Sequence, residues 1–305
     1  MMLALWFFVF ALSRGLNSVY VKKAQSSRKN GFYNAVYFIF MYALLQAIFL
    51  FAIPPYKNIP MTMDFLIYPV CFGICYIISY SLLFFALAEG PTGLTNVIYT
   101  FHSILPMITG IILWKDTLDF IKAVGVVFAA ITIYLFYLSV KNGDKRKKSL
   151  RWILFIVSAT VFMGIAVVFT QAFSHTFTGM DKQYLVVYTV SSSLISLVLL
   201  MFIKPRKSKE KTEDRKKNEA KDLTEKHTVR YYVFVLVAAV TQNAVNLFFM
   251  YFLTVMPSTI LFPTLNSINI LTFVLVGRLF FGEKLNKLSF IGICCSIVSL
   301  VLLNI

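Results

Sequence analysis

Ten apolar stretches of about twenty residues each follow one another along this chain of 305 residues. A helix needs about 20 mostly apolar residues to cross the hydrocarbon core of a bilayer. The stretches lie near 2–21, 32–53, 64–88, 94–114, 118–140, 151–174, 183–203, 231–253, 258–281 and 287–305. Only 14% of all residues are charged, against about 25% in soluble domains, so little polar surface is available to face water. The sequence therefore predicts an all-α integral membrane protein with ten transmembrane helices.

The basic residues lie mainly in the linkers between the apolar stretches. The net charge is +16, but no RNA- or DNA-binding module is present, so we expect no nucleic-acid partner. Six basic residues lie in 141–151 and eleven in 204–230, a polar stretch predicted to be a disordered or loosely helical loop. Cytoplasmic linkers carry an excess of lysine and arginine. We expect a multi-pass protein of the plasma or inner membrane, with both linkers in the cytoplasm.

The four cysteines all lie inside apolar stretches, at positions 71, 75, 294 and 295. Neither a disulfide framework nor a structural zinc site is predicted from this placement. The phosphate-binding pattern G-x-x-x-x-G-K-[ST] does not occur, so the chain is not expected to hydrolyse ATP in that way. We expect no cofactor and no bound metal ion.

The two halves of the chain are similar when the sequence is shifted along itself. A shift of 167 residues places Gly110 on Gly277, and a shift of 149 places Gly15 on Gly164. Five helices per half is an odd number, so the second half enters the membrane in the opposite direction. Inverted repeats of this kind are found in many secondary transporters. The predicted organisation is a five-helix repeat at 1–140, a basic linker at 141–150, and a second repeat at 151–305 containing the loop 204–230.

Two segments carry a resemblance to a known family: SLLFFALAEGPTGLTNVIYTFHSILPMITGIILWKDTLDFIKAVGVV and FFMYFLTVMPSTILFPTLNSINILTFVLVGRLFFGEKLNKLSFIGICC. Each has an aromatic-rich helix, a short turn of small residues, a helix with a central proline and a turn resembling Gly-Glu. Both resemble the repeat unit of EamA-type ten-helix carriers in the drug/metabolite transporter superfamily. The segment SRGLNSVYVKKA is similar to that family's opening W-G-x-N element, with Arg14 where the family usually has tryptophan. The first half departs by having WKD where GE is usual.

The resemblance implies a secondary active transporter, and not an enzyme. Such a carrier moves a small metabolite, amino acid or drug-like solute by alternating access. Its expected partners are that small-molecule substrate, membrane lipids, and protons or another coupling solute. An integral membrane enzyme and a channel are the alternatives, but the acidic residues and the three histidines (102, 175 and 227) are scattered rather than clustered.

Nine polar residues within the apolar stretches form the candidate substrate-binding set. Polar groups at bilayer depth are costly unless paired, and they commonly mark function. The candidates are Arg14, Asn17, Tyr76, Tyr99, His102, Asn243, Asn246, Asn266 and Asn269. The 167-residue shift places Tyr99 on Asn266 and His102 on Asn269. It also places Tyr76 on Asn243 and Ser79 on Asn246. We therefore predict a central cavity lined by the third, fourth, eighth and ninth of the ten predicted helices. For any single residue, a hydrogen bond between helices is an equally good explanation.

Three features of these stretches have two interpretations each. Arg14 either extends to the lipid headgroups or faces the interior, where it could hold a carboxylate or phosphate. His102 could carry a proton, although a structural histidine is the simpler interpretation. Pro106 and Pro263 favour kinks that could act as hinges, although many membrane prolines are structural.

Overall fold

The computed structural model describes residues 2–27, 31–52, 59–90, 92–115, 119–143, 150–203, 217–282 and 287–304. Its α-helices are α1 Met2–Ser26, α2 Phe32–Phe51, α3 Met63–Glu89, α4 Thr92–Tyr99, α5 Ile104–Trp114, α6 Phe120–Gly143, α7 Leu150–Thr176, α8 Asp181–Phe202, α9 Lys217–Val255, α10 Ser258–Phe281 and α11 Lys287–Asn304. A 3-10 turn, Thr100–Ser103, separates α4 from α5. No strand occurs in these ranges, so the all-helical prediction is confirmed for them.

Seven helices of the described ranges are long and apolar enough to cross a membrane. They are Ala4–Ser26, Phe32–Phe51, Met63–Glu89, Arg151–Thr176, Asp181–Phe202, Val229–Val255 and Thr259–Phe281. Shorter apolar helices at Thr100–Trp114, Ala123–Thr132 and Phe290–Ser299 coincide with the other three predicted stretches. Large apolar side chains are exposed on the outer surface, such as Phe8 at 60% and Leu279 at 74%. This surface suits contact with lipid.

The predicted helix 94–114 is interrupted in the structure by the 3-10 turn Thr100–Ser103. Pro106, near the start of α5, has no backbone N–H, and its ring crowds the carbonyl group four residues earlier, at His102. The proline therefore weakens the α-helical hydrogen bonding of the turn before it, which becomes 3-10 here, whereas α10 continues unbroken through Pro263.

The helix predicted at 231–253 is longer than expected, because α9 begins at Lys217 within the stretch predicted as a loop. The sequence there favours a helix, with opposite charges four residues apart at Lys221 and Glu225 and at Asp222 and Lys226. The remainder of the predicted loop, 204–216, lies outside the described residues, as does most of the linker 141–150.

The helix bounds repeat with the same shifts as the sequence. Raising the bounds of α1 and α2 by 149 gives 151–175 and 181–200, close to the observed α7 and α8. Raising the bounds of α3 by 167 gives 230–256, which coincides with the membrane-spanning part and the end of α9. The same shift carries α4 to α5 onto α10, and the start of α6 onto the start of α11.

The helices pack in corresponding pairs. Helix α3 packs against α7, and α1 packs against α9, while α2 packs on α8 and α6 on α11. Two glycines allow close approach at equivalent places. A Cβ atom added to Gly15 would lie 3.0 Å from Cγ2 of Thr272, and one added to Gly164 would lie 2.5 Å from Cδ1 of Leu105. Thr272 and Leu105 are themselves 167 residues apart.

The largest buried cluster lies among α2, α3, α7, α8 and the start of the membrane-spanning part of α9. Its fully buried side chains include Phe38, Phe65, Ile156 and Phe173. Aromatic rings contact one another directly, since Phe65 and Phe173 are 5.2 Å apart between ring centroids. This packing holds α3 and α7 in place against α1 and α9, which surround the candidate site together with α10.

Candidate functional site

A cavity of about 80 Å³ lies where α1, α7, α9, α10 and the 3-10 turn meet. Five of the nine predicted residues line it: Arg14, His102, Asn246, Asn266 and Asn269. Much of the remaining wall is apolar or aromatic, with Phe10, Phe249 and Phe262 among the lining residues. The site therefore combines amides, one guanidinium and aromatic rings.

A second, smaller cavity of about 20 Å³ shares Arg14 with the first. Asn17 and Tyr99, both predicted site residues, line it, together with Tyr80 and Phe273. Seven of the nine candidates thus line one cavity or the other.

Tyr76 and Asn243 line neither cavity, because both face the α2 and α8 side of the protein. The Tyr76 ring packs 4.3 Å from that of Tyr80 and 6.1 Å from that of Tyr188, measured between centroids. The Asn243 amide donates a hydrogen bond to the Gln46 carbonyl oxygen at 3.0 Å. For these two residues the structure favours interhelical packing over cavity lining.

Arg14 is held by one weak hydrogen bond and one aromatic ring. Its Nη1 atom donates to Oε1 of Gln242 at 3.5 Å, and its guanidinium carbon lies 5.7 Å from the centroid of the Phe273 ring. Its Nε atom is buried and has no hydrogen-bond partner among the described residues. The guanidinium therefore faces the protein interior, and donors remain available for a further partner.

Gln242 connects Arg14 to a chain of polar side chains. Its Oε1 also accepts a hydrogen bond from the Tyr42 hydroxyl at 3.2 Å, and its Nε2 donates to Oδ1 of Asn246 at 2.8 Å. The Asn246 amide in turn donates to the Tyr188 hydroxyl. These contacts join α1, α2, α8 and α9, so the position of Arg14 depends on three other helices.

Asn17 anchors the same part of α1 to its neighbours. Its Nδ2 atom donates to the Tyr42 hydroxyl at 2.8 Å and to the Ala238 carbonyl oxygen at 2.9 Å. Asn17 is buried and lies one helical turn from Arg14, so its hydrogen bonds fix the rotation of α1 about its axis. Its role is mainly structural in this conformation.

The 3-10 turn brings His102 and Ser103 to the cavity. Nδ1 of His102 lies 2.5 Å from the Tyr99 carbonyl oxygen, and because a carbonyl can only accept, Nδ1 carries a proton and donates to that oxygen. Opposite, the Asn266 amide donates to the Ser103 hydroxyl, which donates to the Thr100 carbonyl at 2.9 Å. The cavity wall is thus hydrogen-bonded across the two halves.

Sequence reasoning missed Gln242 and Ser103. A signal for Gln242 exists, since it lies four residues before Asn246 and therefore on the same helical face. Ser103 has no such signal, because it reaches the cavity only through the 3-10 turn. Within the described residues, no group of three or more His, Cys, Asp or Glu side chains could hold a metal ion.

Comparison with known proteins places the chain in a family. No curated protein matches it. Among solved structures, 28 chains match; one crystal structure, described only as that of a protein, has 11% sequence identity and a TM-score of 0.63, with 98% of each chain covered. That likeness concerns the fold alone. The model of the EamA-like transporter family matches residues 1–138 and 150–305. The chain is therefore a multi-pass membrane protein that belongs to the EamA-like transporter family.

Proposed function

We propose that the protein is a secondary active transporter that moves a small organic solute by alternating access. The observation that carries the proposal is the polar cavity, whose wall combines residues of the first half (Arg14 and His102) with residues of the second (Asn246 and Asn269). Substrate sites of secondary transporters lie near the bilayer midplane, where the two repeats meet. Membership of a transporter family agrees with this function.

The proposed architecture is ten membrane-crossing helices in two inverted five-helix repeats, 1–140 and 151–305. The repeated helix bounds support it. The helix contacts support it as well: exchanging the two halves replaces α3 by α9 and α7 by α1, so the α3–α7 contact becomes the α9–α1 contact. The equivalent approaches at Gly15 and Gly164 support it further. In alternating access, each half would take up the contacts that the other half now makes, and the cavity would open to the opposite side of the membrane.

Counterflow tests the proposed function directly. Purified protein in liposomes would be loaded with each of a panel of unlabelled amino acids and organic acids, then diluted into trace amounts of the labelled compound. A carrier transiently accumulates the label for at least one compound, and uptake saturates with concentration. Uptake that never saturates and shows no counterflow would indicate a channel, and a chemically altered solute would indicate an enzyme.

Replacing His102 or Asn269 by alanine is expected to lower the rate of transport about tenfold. Each side chain lines the cavity, and losing one hydrogen bond to a bound polar solute costs about 1.4 kcal/mol, a factor of ten in affinity. Initial uptake rates at equal protein density measure the effect. The control is His175→Ala, since His175 is exposed at the end of α7 and stacks on Trp114, away from both cavities. Normal rates in both cavity variants would reject the site.

We also propose that the linkers 141–151 and 204–230 lie in the cytoplasm of a plasma or inner membrane, following their excess of basic residues. External protease added to intact cells is then expected to leave the chain uncut in 204–230. Permeabilised cells supply the control, because the same protease should cut the linker there. Cutting in intact cells would reverse the proposed orientation.

A further inference from the structure

Arg14 lies at the junction of the two cavities. It lines both of them, whereas no other residue of the described chain does so. Along α1, Phe10 lines the larger cavity, and Asn17 and Val21 line the smaller one. From residue 10 to residue 21 the helix rises by about 17 Å, roughly half of the ~30 Å hydrocarbon core. The two cavities therefore lie at successive levels along α1, on either side of Arg14.

The charge of Arg14 is not neutralised within the described residues. The carboxylates with described side chains are Asp64, Glu89, Asp119 and Asp181, and each lies at or near a helix end, where no ion pair with Arg14 forms. Gln242, its one hydrogen-bond partner, is a neutral amide. Charged side chains inside membranes normally face a partner or a water-filled cavity. An arginine kept at this position without a protein counter-ion is suited to an anion supplied by the substrate.

The rest of the cavity restricts the anion further. Among the lysines and arginines of the described chain, Arg14 alone lines either cavity. Its single positive charge balances one negative charge on a ligand but not the two of a doubly charged phosphate. The rings of Phe10, Phe249 and Phe262 form an apolar wall. The Asn269 amide also lines the cavity, and its buried Oδ1 has no hydrogen-bond partner among the described residues.

We propose that the substrate is a small amphiphilic carboxylate and that Arg14 binds its carboxylate where the two cavities meet. This inference rests on the proposed transporter function and names its substrate class. A planar guanidinium binds a carboxylate through two parallel hydrogen bonds. The apolar part of the substrate then lies against the aromatic wall, and the Asn269 amide contacts a second polar group.

Three molecules of the same size and different charge test this proposal. Phenylacetate, its neutral amide phenylacetamide, and the cation phenethylammonium would each be added at millimolar concentration to purified full-length protein, with inorganic phosphate and acetate as further probes. The measured quantity is the temperature of thermal unfolding. We expect phenylacetate to raise it by several degrees, acetate and phosphate to raise it less, and the amide and cation to leave it unchanged, because only a ligand that binds the folded state stabilises it.

Variants of Arg14 assign the effect to this side chain. In Arg14→Met the stabilisation by phenylacetate should disappear. In Arg14→Lys about ten times more phenylacetate should be needed for the same rise in the temperature of unfolding. The matched control is Arg278→Met, which removes an exposed arginine at the end of α10 and should respond as the unaltered protein does. Without ligand, Arg14→Met should unfold at the same temperature as the unaltered protein or higher, because it removes an unpaired charge. Arg14→Gln replaces it in the test if the methionine variant does not fold.

The outcomes separate this proposal from the transporter function on which it rests. Equal stabilisation by phenylacetamide, an undiminished effect in the folded Arg14 variant, or no response to any carboxylate overturns the carboxylate site. In a separate experiment, labelled phenylacetate is tested for counterflow in liposomes that contain the protein. Binding that depends on Arg14 without counterflow supports the carboxylate site and rejects the carrier, whereas counterflow of neutral solutes or cations that is unaffected by Arg14→Met supports the carrier and rejects the site.

Discussion

Replacing Gly164 by valine is expected to destabilise the protein by about 3 kcal/mol or more and to abolish transport. A Cβ atom at this position would lie 2.5 Å from Cδ1 of Leu105 and 2.9 Å from the carbonyl oxygen of His102. Leu105 could rotate away, but the backbone at His102 cannot move without shifting the 3-10 turn that forms part of the cavity wall. Overpacking of this kind typically costs about 1–3 kcal/mol, and a displaced helix adds to that cost.

The temperature of thermal unfolding and the yield of monodisperse protein measure this effect. Gly31→Val is the matched control, because a Cβ atom at Gly31 meets nothing within 4 Å and its φ of 177° is extended backbone that valine adopts easily. Gly164→Ala should lie between the two, since it adds the Cβ atom alone. A Gly164→Val variant as stable and active as the unaltered protein would contradict the close contact of α7 with the 3-10 turn.

Replacing Gln242 by leucine is expected to reduce transport at least tenfold and to destabilise the protein by about 2 kcal/mol. Leucine has a similar volume but can neither accept the hydrogen bonds from Arg14 and Tyr42 nor donate one to Asn246. Interhelical hydrogen bonds in membranes contribute about 0.6 kcal/mol each on average; two of these, to Arg14 and Tyr42, are removed, and the bond within α9 to Asn246 is lost as well. Arg14 also loses its one described hydrogen-bond partner, so its guanidinium is no longer fixed at the cavity.

Thr241→Val provides the control for this variant at the neighbouring position. The Thr241 hydroxyl bonds only within α9, to the carbonyl oxygens of Val237 at 2.8 Å and Ala238 at 3.0 Å. Its loss should change the free energy of unfolding by less than about 0.5 kcal/mol. Equal effects of the two substitutions on transport would show that the polar chain through Gln242 does not position Arg14.

The sequence predicts the helices of this protein well because hydropathy depends on composition alone. A stretch of apolar residues that is long enough to span the bilayer must satisfy its backbone hydrogen bonds internally, and a helix does so. The predicted starts at 32 and 287 therefore agree with α2 and α11. The sequence predicts a kink near Pro106 but not the 3-10 turn Thr100–Ser103, because the effect of a proline on the preceding turn depends on how neighbouring helices support the chain.

The cavity is less predictable than the helices, because it depends on which face of each helix meets its neighbours. Repetition at one shift selected Asn246, Asn266 and Asn269, which the structure places on the cavity wall. The same argument selected Asn243, which faces α2 instead and bonds to Gln46. A helical sequence gives the relative directions of its side chains, but the absolute rotation of α9 is fixed only by packing against α1 and α2.

Accessibility of introduced cysteines to a water-soluble thiol reagent tests the central claim most directly, namely that a hydrated cavity lies between the two halves of the chain. In a background where the four native cysteines are replaced by alanine, Phe10→Cys and Asn269→Cys should react at least tenfold faster than Leu275→Cys. Phe10 and Asn269 line the cavity from opposite halves, whereas Leu275 lies on the same helix as Asn269 and is 56% exposed on the lipid-facing surface. Equally slow reaction of all three cysteines would contradict the account.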